Sequence, residues 1–254
     1  MNGGAGRVNR GRGLAAAVGL LLVVGGFVWG ATGLHKFGGY NFRYGAIVAK
    51  DSIPDRASVN TVVVTAFDYR GFDTLGEEFI LFVSVLSVGV LLRRMREEHE
   101  GGDSDVEPGR EVRGSESMRW LGTALAAPVA LLAISIITHG TLTPGGGFQG
   151  GVVLMSAAAF TFLGGEYALV ARLRGSATAI EIVEAIGAGA FAMLGVGGLI
   201  SSGIFFENFI NKGQAGLLTG GFIPLANIAV GAEVAAALLM VISELLYQRL
   251  LASS

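Results

Sequence analysis

Carboxylates that stand inside long apolar segments are the residues of this sequence best suited to chemistry. Glu233 lies about nine residues into the last apolar run, 224–247, so at 1.5 Å per residue it sits about 13 Å from the start of that run. Glu77 and Glu78 stand at the start of an earlier run, 75–93. An ionisable group inside a bilayer is costly and is a candidate for a proton or cation relay. The alternative for each is a structural carboxyl, hydrogen-bonded at depth or stabilising a helix dipole from the first turn.

A glycine-dense turn holds two further polar candidates. Residues 139–151 read His-Gly-Thr-Leu-Thr-Pro-Gly-Gly-Gly-Phe-Gln-Gly-Gly and lie between two apolar runs. Glycine lets backbones approach closely, which in a membrane predicts tight helix packing or irregular backbone beside a wet cavity. His139 is predicted to cap the preceding helix, as a structural residue or as part of a proton path, and Gln149 is able to bind water or bridge helices. We assign the packing and shaping of the turn to Pro144, Gly145, Gly146, Gly147, Phe148, Gly150 and Gly151.

Other charged residues are assigned structural roles. Asp68, Arg70 and Asp73 are close enough in sequence to form a local ion-pair cluster that pins the turn before the second apolar run. Glu181 and Glu184 open the fifth run, where a carboxylate at the membrane interface stabilises the helix dipole. Both groups are expected to hold the ends of helices in place.

The composition indicates an integral membrane protein. Of 254 residues, 52% are hydrophobic and 15% are charged, and the mean hydropathy is +0.60, whereas a soluble domain carries roughly a quarter charged residues. The absence of cysteine excludes disulfides, thiolate metal sites and cysteine catalysis, and 3 histidines argue against a histidine metal centre. A net charge of -2 argues against a nucleic-acid partner. We therefore predict no metal and no cofactor.

Apolar runs of about 20 residues predict an all-α polytopic protein with about six transmembrane helices. Between the second and third runs lies a hydrophilic segment, 96–117, which we interpret as a flexible linker. It separates a two-helix module, 1–95, from a four-helix module, 118–254. The predicted spans are 14–34, 75–93, 119–138, 148–171, 179–201 and 224–247.

The segment between the first two runs is harder to assign. Phe37–Tyr40 and Ile53–Asp55 have the composition of loops. Val59–Phe67 is too short to span a bilayer, and an isolated strand in lipid would leave its backbone unpaired. We therefore expect an interfacial or re-entrant helix there.

Basic residues set the expected orientation. Arginines are concentrated before the first run, around the linker and after the fourth run. Positively charged residues near helix ends are retained on the cytoplasmic side. Both termini and the linker are therefore expected in the cytoplasm, with the glycine-dense turn toward the outer face.

The glycine-dense turn resembles a signature of the B subunit of Mrp-type multisubunit sodium/proton antiporters. That family carries a histidine followed by Pro-Gly-Gly-Gly-Phe, which Pro144–Phe148 matches without a gap. Thr219–Gly231 also resembles the family, so the similarity covers 118–254. Gln149 stands where an aliphatic residue is usual in the antiporters, and this form is closer to that of hydrogenase-related complexes.

The first module resembles a second protein of such complexes. Asp68–Glu77 is similar to the end of the Mrp A subunit and to the separate E subunit of membrane-bound hydrogenases. The chain thus resembles a fusion of two neighbouring subunits of a prokaryotic cell-membrane complex.

The resemblance implies a membrane subunit without redox chemistry of its own, in an assembly that exchanges Na+ outward against protons inward. Its expected partners are other subunits of the complex, Na+, H+ and the lipid bilayer. The expected ion pathway contains Glu77, Glu78 and Glu233, with His139 and Gln149 as hydrated neighbours. Two alternatives stay open: the same module in a membrane-bound hydrogenase or related oxidoreductase, and a purely structural scaffold subunit.

Overall fold

The computed structural model describes residues 4–34, 43–100, 115–163, 177–210, 213, 216–217 and 219–252. Every regular element within those ranges is helical, which confirms the all-α prediction. The elements, in chain order, are α1 Gly4–Thr32, α2 Arg43–Arg56, α3 Thr61–Val64, a π-helical turn Thr65–Tyr69, α4 Gly71–Glu100, α5 Glu116–Thr138, α6 Gly147–Leu163, α7 Ala177–Ser202 and α8 Ile223–Ala252.

Four helices are long and apolar enough to cross a membrane. Their candidate spans are Gly71–Leu92, Glu116–Thr138, Thr178–Ser202 and Ile223–Leu245. Two shorter apolar segments, Ala17–Thr32 and Gly147–Phe162, lie within the first predicted run and at the start of the fourth. The chain is a multi-pass membrane protein. A total of six spans stays a prediction, because the fourth predicted run ends in 164–176, outside the described residues.

The chain divides into two compact units, Met1–Ala46 and Ile47–Ser254. The first unit contains α1, whose described side chains, 17–32, are exposed and apolar all round. That surface is expected of a helix immersed in lipid or packed against another chain. The second unit contains the core and all the candidate site residues.

Helix α8 is the centre of the second unit. Half of its apolar span is buried, against 11% for the spans of α4 and α5. It packs against α4, α5, α6 and α7, and Val230, Val234 and Ala237 are fully enclosed. A polar side chain on the buried face of α8 is therefore shielded from both lipid and water.

Aromatic rings hold the ends of several helices together. Phe206 packs against Phe191 of α7 and against Phe222, the residue before α8, with ring centroids 5.0 and 6.4 Å away. Phe67 of the π-helical turn meets Phe191 edge to face at 5.6 Å. A Cβ on Gly71, where α4 begins, would lie 2.7 Å from the Phe206 ring. The starts of α4 and α8 are thus fixed at one level of the molecule.

The loop predicted at Ile53–Asp55 is wrong, because these residues lie in the last turn of α2. Pro54 removes one N–H donor from that turn. The N–H of Ala57 still donates to the carbonyl oxygen of Ile53 at 2.9 Å, which closes the turn before the chain leaves the helix. The other predicted loop, Phe37–Tyr40, lies outside the described residues.

The helix expected at Val59–Phe67 is confirmed, although it is part α-helical and part π-helical. In the π-helical turn the backbone hydrogen bonds depart from the α-helical pattern. The carbonyl oxygen of Ala66, within this turn, accepts a hydrogen bond from the hydroxyl of Thr74 at 2.6 Å. That the helical segment at Val59–Phe67 is interfacial or re-entrant stays a prediction.

The predicted linker 96–117 is helical at both of its ends. Helix α4 continues to Glu100, and α5 begins at Glu116 with Ser115 as its N-cap. The remainder, 101–114, lies outside the described part of the chain.

Candidate functional site

Three buried glutamates from three helices form the candidate site. Glu78 of α4 and Glu184 of α7 are 1% exposed, and Glu233 of α8 is 0% exposed. The side chain of Glu233 interacts electrostatically with those of Glu78 and Glu184. Glu78 and Glu233 are also within hydrogen-bonding reach of each other. We call these three side chains the carboxyl cluster.

The carboxyl cluster lies well inside the helical bundle. The start of α4, the later part of α7 and the residue before α8 all pack against Phe206, which marks a common level. At 1.5 Å per residue along their helices, Glu78 lies about 10 Å and Glu233 about 16 Å from this level. Glu184 lies about 10 Å from Phe191 and about 16 Å from Gly195, which both contact Phe206.

Five of the six carboxyl oxygens are buried without a hydrogen-bond donor among the described residues. Both oxygens of Glu78 and of Glu233, and Oε1 of Glu184, are buried without a partner. Two ionised carboxylates cannot bond to each other since both only accept, whereas a proton on one of them makes it a donor. The spans of α4, α7 and α8 contain no Lys, Arg or His. The arrangement is therefore suited to holding a proton, or a cation supplied from outside these helices.

Adjacent glutamates of α4 have opposite environments. Glu78 shares the buried face of the helix with Thr74 and Val85, at helical spacing. Glu77 is exposed, because successive residues of an α-helix point in directions about 100° apart. Of the two carboxylates predicted at this end of α4, the structure brings Glu78 into the carboxyl cluster and leaves Glu77 outside it.

A single side chain, Asn60, clamps the glycine-dense turn. Its Nδ2 donates to the carbonyl oxygens of Gly140 and Thr143 at 2.8 Å and contacts that of Gly145 at 3.2 Å. Its Oδ1 accepts from the backbone N–H groups of the second and third residues of α3, at 3.1 and 3.3 Å, and so caps that helix. Asn60 thereby joins α3 to the turn between α5 and α6.

Glycines bring α6 into backbone contact with α8. The N–H of Gly147 donates to Oδ1 of Asn227 at 2.7 Å. A Cβ on Gly147 would lie 2.5 Å from the carbonyl oxygen of Asn227, and a Cβ on Gly151 would lie 2.8 Å from that of Gly231. These contacts support the packing role predicted for the turn.

His139 and Gln149 flank the turn and lie apart from the carboxyl cluster. His139 is the C-cap of α5, and its Nδ1 lies 2.9 Å from the carbonyl oxygen of Ser135, so the ring has a structural partner. Gln149 is exposed. Asn227, which contacts the turn, precedes Glu233 by six residues, a distance of about 9 Å along α8.

Asp68 has a different partner from the one predicted. Its Oδ2 lies 2.7 Å from Nε of Arg56 in an ion pair and accepts from Nδ2 of Asn208 at 3.0 Å. Arg70 and Asp73 do pair with each other, on the exposed surface. The predicted three-residue cluster is wrong for Asp68, because this side chain is buried while Arg70 is exposed.

The Asp68 contacts connect α2 to the start of α8. Asn208 also donates to the carbonyl oxygen of Gly220 at 2.8 Å and accepts from the N–H of Phe222 at 3.1 Å. Burial raises the pKa of the Asp68 carboxyl, and the positive charge of Arg56 opposes that effect. Sequence reasoning assigned no role to Arg56 or Asn208, since their contacts join residues far apart in the chain.

Two family models match the chain. Residues 118–240 match a domain related to the MnhB subunit of Na+/H+ antiporter. Residues 42–106 match the E subunit of MBH. Glu78 falls in the second match, and Glu184 and Glu233 fall in the first.

Two curated relatives are similar in sequence. The uncharacterized protein MJ1307 of Methanocaldococcus jannaschii is 30% identical over 235 residues, which cover 86% of this chain and 88% of that protein. A probable A/B subunit of a K(+)/H(+) antiporter of Rhizobium meliloti is 32% identical over 116 residues, which cover 37% of this chain and 11% of that longer protein.

Solved structures show the same fold in membrane complexes. One chain of the membrane-bound sulfane sulfur reductase, an archaeal respiratory membrane complex, matches with a TM-score of 0.64 and 26% identity, covering 92% of this chain and 98% of that one. The Mrp complex from Dietzia sp. DQ12-45-1b matches in fold with a TM-score of 0.64 at 22% identity, covering 93% of this chain and 26% of that one. The chain therefore belongs, with MJ1307, to a family that joins a segment of the MBH E-subunit type to a domain related to the MnhB subunit of Na+/H+ antiporters.

Proposed function

We propose that this chain is a membrane subunit, without redox chemistry of its own, of a multisubunit complex of the Mrp and MBH type. Within that complex it helps to assemble a cation/proton pathway and contributes carboxyl groups to it. The exchange we propose is Na+ outward against protons inward. The neighbouring subunits, the bilayer and the transported ions are its partners.

The observation that carries this proposal is the meeting of Glu78 and Glu233. The two residues come from the two segments that match different subunit families, 42–106 and 118–240. Their buried carboxyls lie side by side although their helices have no basic residue to neutralise them within the spans. Charge inside a membrane protein is costly and is retained where an ion passes. Two modules that only pack against each other would not require a buried pair of carboxyls without a neutralising basic residue.

The other predicted pathway residues have a peripheral place in this proposal. Glu77 lies near the start of α4, and His139 and Gln149 flank the glycine-dense turn. The turn contacts Asn227, which lies about 9 Å from Glu233 along α8. Glu77 and Gln149 are exposed and His139 is partly exposed, so these polar groups are suited to contact water or a neighbouring protein at an entrance. We place the entrance at the outer face and both termini in the cytoplasm, with six spans in modules 1–95 and 118–254 joined by 96–117.

A second candidate is the same role within a respiratory complex. It is favoured by the match to the sulfane sulfur reductase, in which one chain of similar extent corresponds to 92% of this one. The Mrp match, by contrast, covers only 26% of a longer chain. In a respiratory complex, electron transfer in other subunits would drive the ion movement.

The test is to purify the tagged chain with its partners from native membranes and reconstitute the complex in vesicles. A role in an antiporter predicts proton movement, followed with a pH-sensitive dye, when a Na+ gradient is imposed without an electron donor. A role in a respiratory complex predicts ion movement only after a donor is added, with redox subunits among the co-purified proteins. A complex that assembles but moves no ions under either condition would contradict the proposal and leave a scaffold.

A further inference from the structure

The carboxyl cluster contains one residue, Glu184, that the proposed pathway does not use. It is as buried as Glu78 and interacts electrostatically with Glu233. Gly187, almost one turn further along α7, faces the same partner, because a Cβ there would lie 2.7 Å from Cβ of Glu233. Helices α7 and α8 are thus in close contact at this level. Glu184, three residues before Gly187, lies on the same buried side of α7.

We infer that Glu78, Glu184 and Glu233 form one three-carboxyl site that binds protons and not a metal cation. The inference deepens the proposed function, on which it rests for its physiological role, by naming the ion held at this point. It also adds Glu184 as a neighbour whose charge controls how tightly Glu233 holds its proton.

The geometry of the carboxyl groups does not suit a metal ion. A hard cation such as calcium takes six or more oxygen ligands around one point. Among the residues that the structure describes, no group of three or more His, Asp or Glu side chains is arranged to hold a metal ion.

The ionisable groups that act on the carboxyl cluster from the described helices are acidic, and those outside it lie on exposed faces. Glu77 interacts with Glu78 on α4, and Glu181 interacts with Glu184 on α7. The described part of α6, 147–163, contains no ionisable side chain, and α5 has none within its central turns. Ionised carboxylates this close repel each other strongly in apolar surroundings. Protons remove that repulsion and also supply the hydrogen-bond donors that the carboxyl oxygens lack.

Proton exchange within the carboxyl cluster needs no further reactant. A protonated Glu78 donates a hydrogen bond to the carboxylate of Glu233, and transfer breaks one O–H bond while it forms another. Glu184 acts on this pair through its charge, because it interacts electrostatically with Glu233. Glu233 thus has Glu78 as its hydrogen-bonding partner and Glu184 as a charged neighbour.

The test uses dicyclohexylcarbodiimide, an apolar reagent that adds to protonated carboxyl groups, on the purified complex. Modified glutamates are mapped by mass spectrometry at a series of pH values, in NaCl or in choline chloride at equal ionic strength. We expect label on carboxyl-cluster residues, loss of that label as the pH rises, and the same extent of labelling in both salts. Protection by Na+ at constant pH would overturn the inference, because it would show a cation in the site.

The role of Glu184 in the carboxyl cluster is tested with Glu184→Gln. The matched control is Glu181→Gln, on the exposed face of the same helix. Removing a negative neighbour should move the pH at which Glu233 loses its label downward by about one unit, while the control leaves it unchanged. Equal profiles in the two variants would overturn the role of Glu184. Glu184→Asp, which keeps the acid, serves if Glu184→Gln does not assemble. Labelling is measured without transport, so a complex that labels as expected but moves no ions contradicts the proposed function alone.

Discussion

Replacing Asn60 by aspartate separates the two roles of this buried side chain. Aspartate keeps an oxygen that accepts from the first N–H groups of α3, and it is as good an N-cap as asparagine. It has no N–H, so the carbonyl oxygens of Gly140, Thr143 and Gly145 lose their shared donor. The two side chains have nearly the same shape, and the exchange therefore tests the amide group alone.

The expected loss follows from the contacts and the burial. Asn60 is 7% exposed, so water does not readily replace the lost donor. A buried carbonyl left without a donor costs about 1–3 kcal/mol. Two of the three contacts are short, at 2.8 Å, which gives a loss of about 2–6 kcal/mol. At low pH a protonated aspartate regains one O–H donor, and part of the loss should be recovered.

The assay is thermal unfolding of the assembled complex in detergent, followed by the fraction that stays assembled after heating. Asn60→Ala is the companion variant, which removes the cap as well and should lose about 0.5–2 kcal/mol more than Asn60→Asp. If Asn60→Asp is as stable as the wild type while Asn60→Ala is not, Asn60 acts as a helix cap and does not clamp the turn.

Three further substitutions have defined outcomes. Gly147→Ala should destabilise the complex by about 1–3 kcal/mol, because the added Cβ would meet the backbone of α8. The control Gly189→Ala should leave the stability unchanged, because no atom lies within 4 Å of the added Cβ. Equal losses in the two variants would contradict the packing role of Gly147. Because burial raises the pKa of Asp68, the folded protein holds that proton more tightly than the unfolded chain. The free energy of unfolding should therefore fall as the pH rises from 3.8 through the raised pKa, and Asp68→Asn should flatten that part of the profile of unfolding temperature against pH. Asp73→Asn should cost less than about 1 kcal/mol in the same unfolding assay, because its pair with Arg70 is exposed, and a larger loss would show that the pair holds the turn.

The sequence predicted the helices well because membrane-length apolar runs are a strong local signal. Glu233 could be placed near the middle of its run by counting residues alone, and the structure puts it at 0% exposure. Val59–Phe67 could be assigned as helical because lipid does not tolerate an isolated strand. The π-helical turn within it was not predictable, since its contacts with Thr74 of α4 and with Phe191 of α7 appear only in the folded structure.

The carboxyl cluster was predictable only in part. Glu78 and Glu233 were selected for their depth, but their contact depends on the packing of α4 against α8. Glu184 was assigned to an interface by its nearness to the start of a run. A usable signal was present: Glu184 shares a helix face with Gly187, Phe191 and Gly195, all buried, and that spacing marks the side of α7 that packs.

The ion pairs and clamps were the least predictable features. Asp68 has acidic and basic neighbours in sequence, yet it pairs with Arg56 and Asn208 because its side chain turns inward. Asn60 precedes a run of β-branched residues and has the character of an N-cap, which was a local clue to its importance. Its three contacts with the glycine-dense turn needed the folded structure, because they join segments that are far apart in the chain.

Ion flux through the reconstituted complex with Glu78→Gln, Glu233→Gln and the control Glu181→Gln is the most direct test of the central claim. Assembly is first verified by co-purification of the partner subunits with each variant. We expect cation-driven or donor-driven proton movement to be lost in Glu78→Gln and Glu233→Gln and retained in Glu181→Gln. Full flux in all three assembled variants would contradict a pathway through the carboxyl cluster and leave this chain as a scaffold.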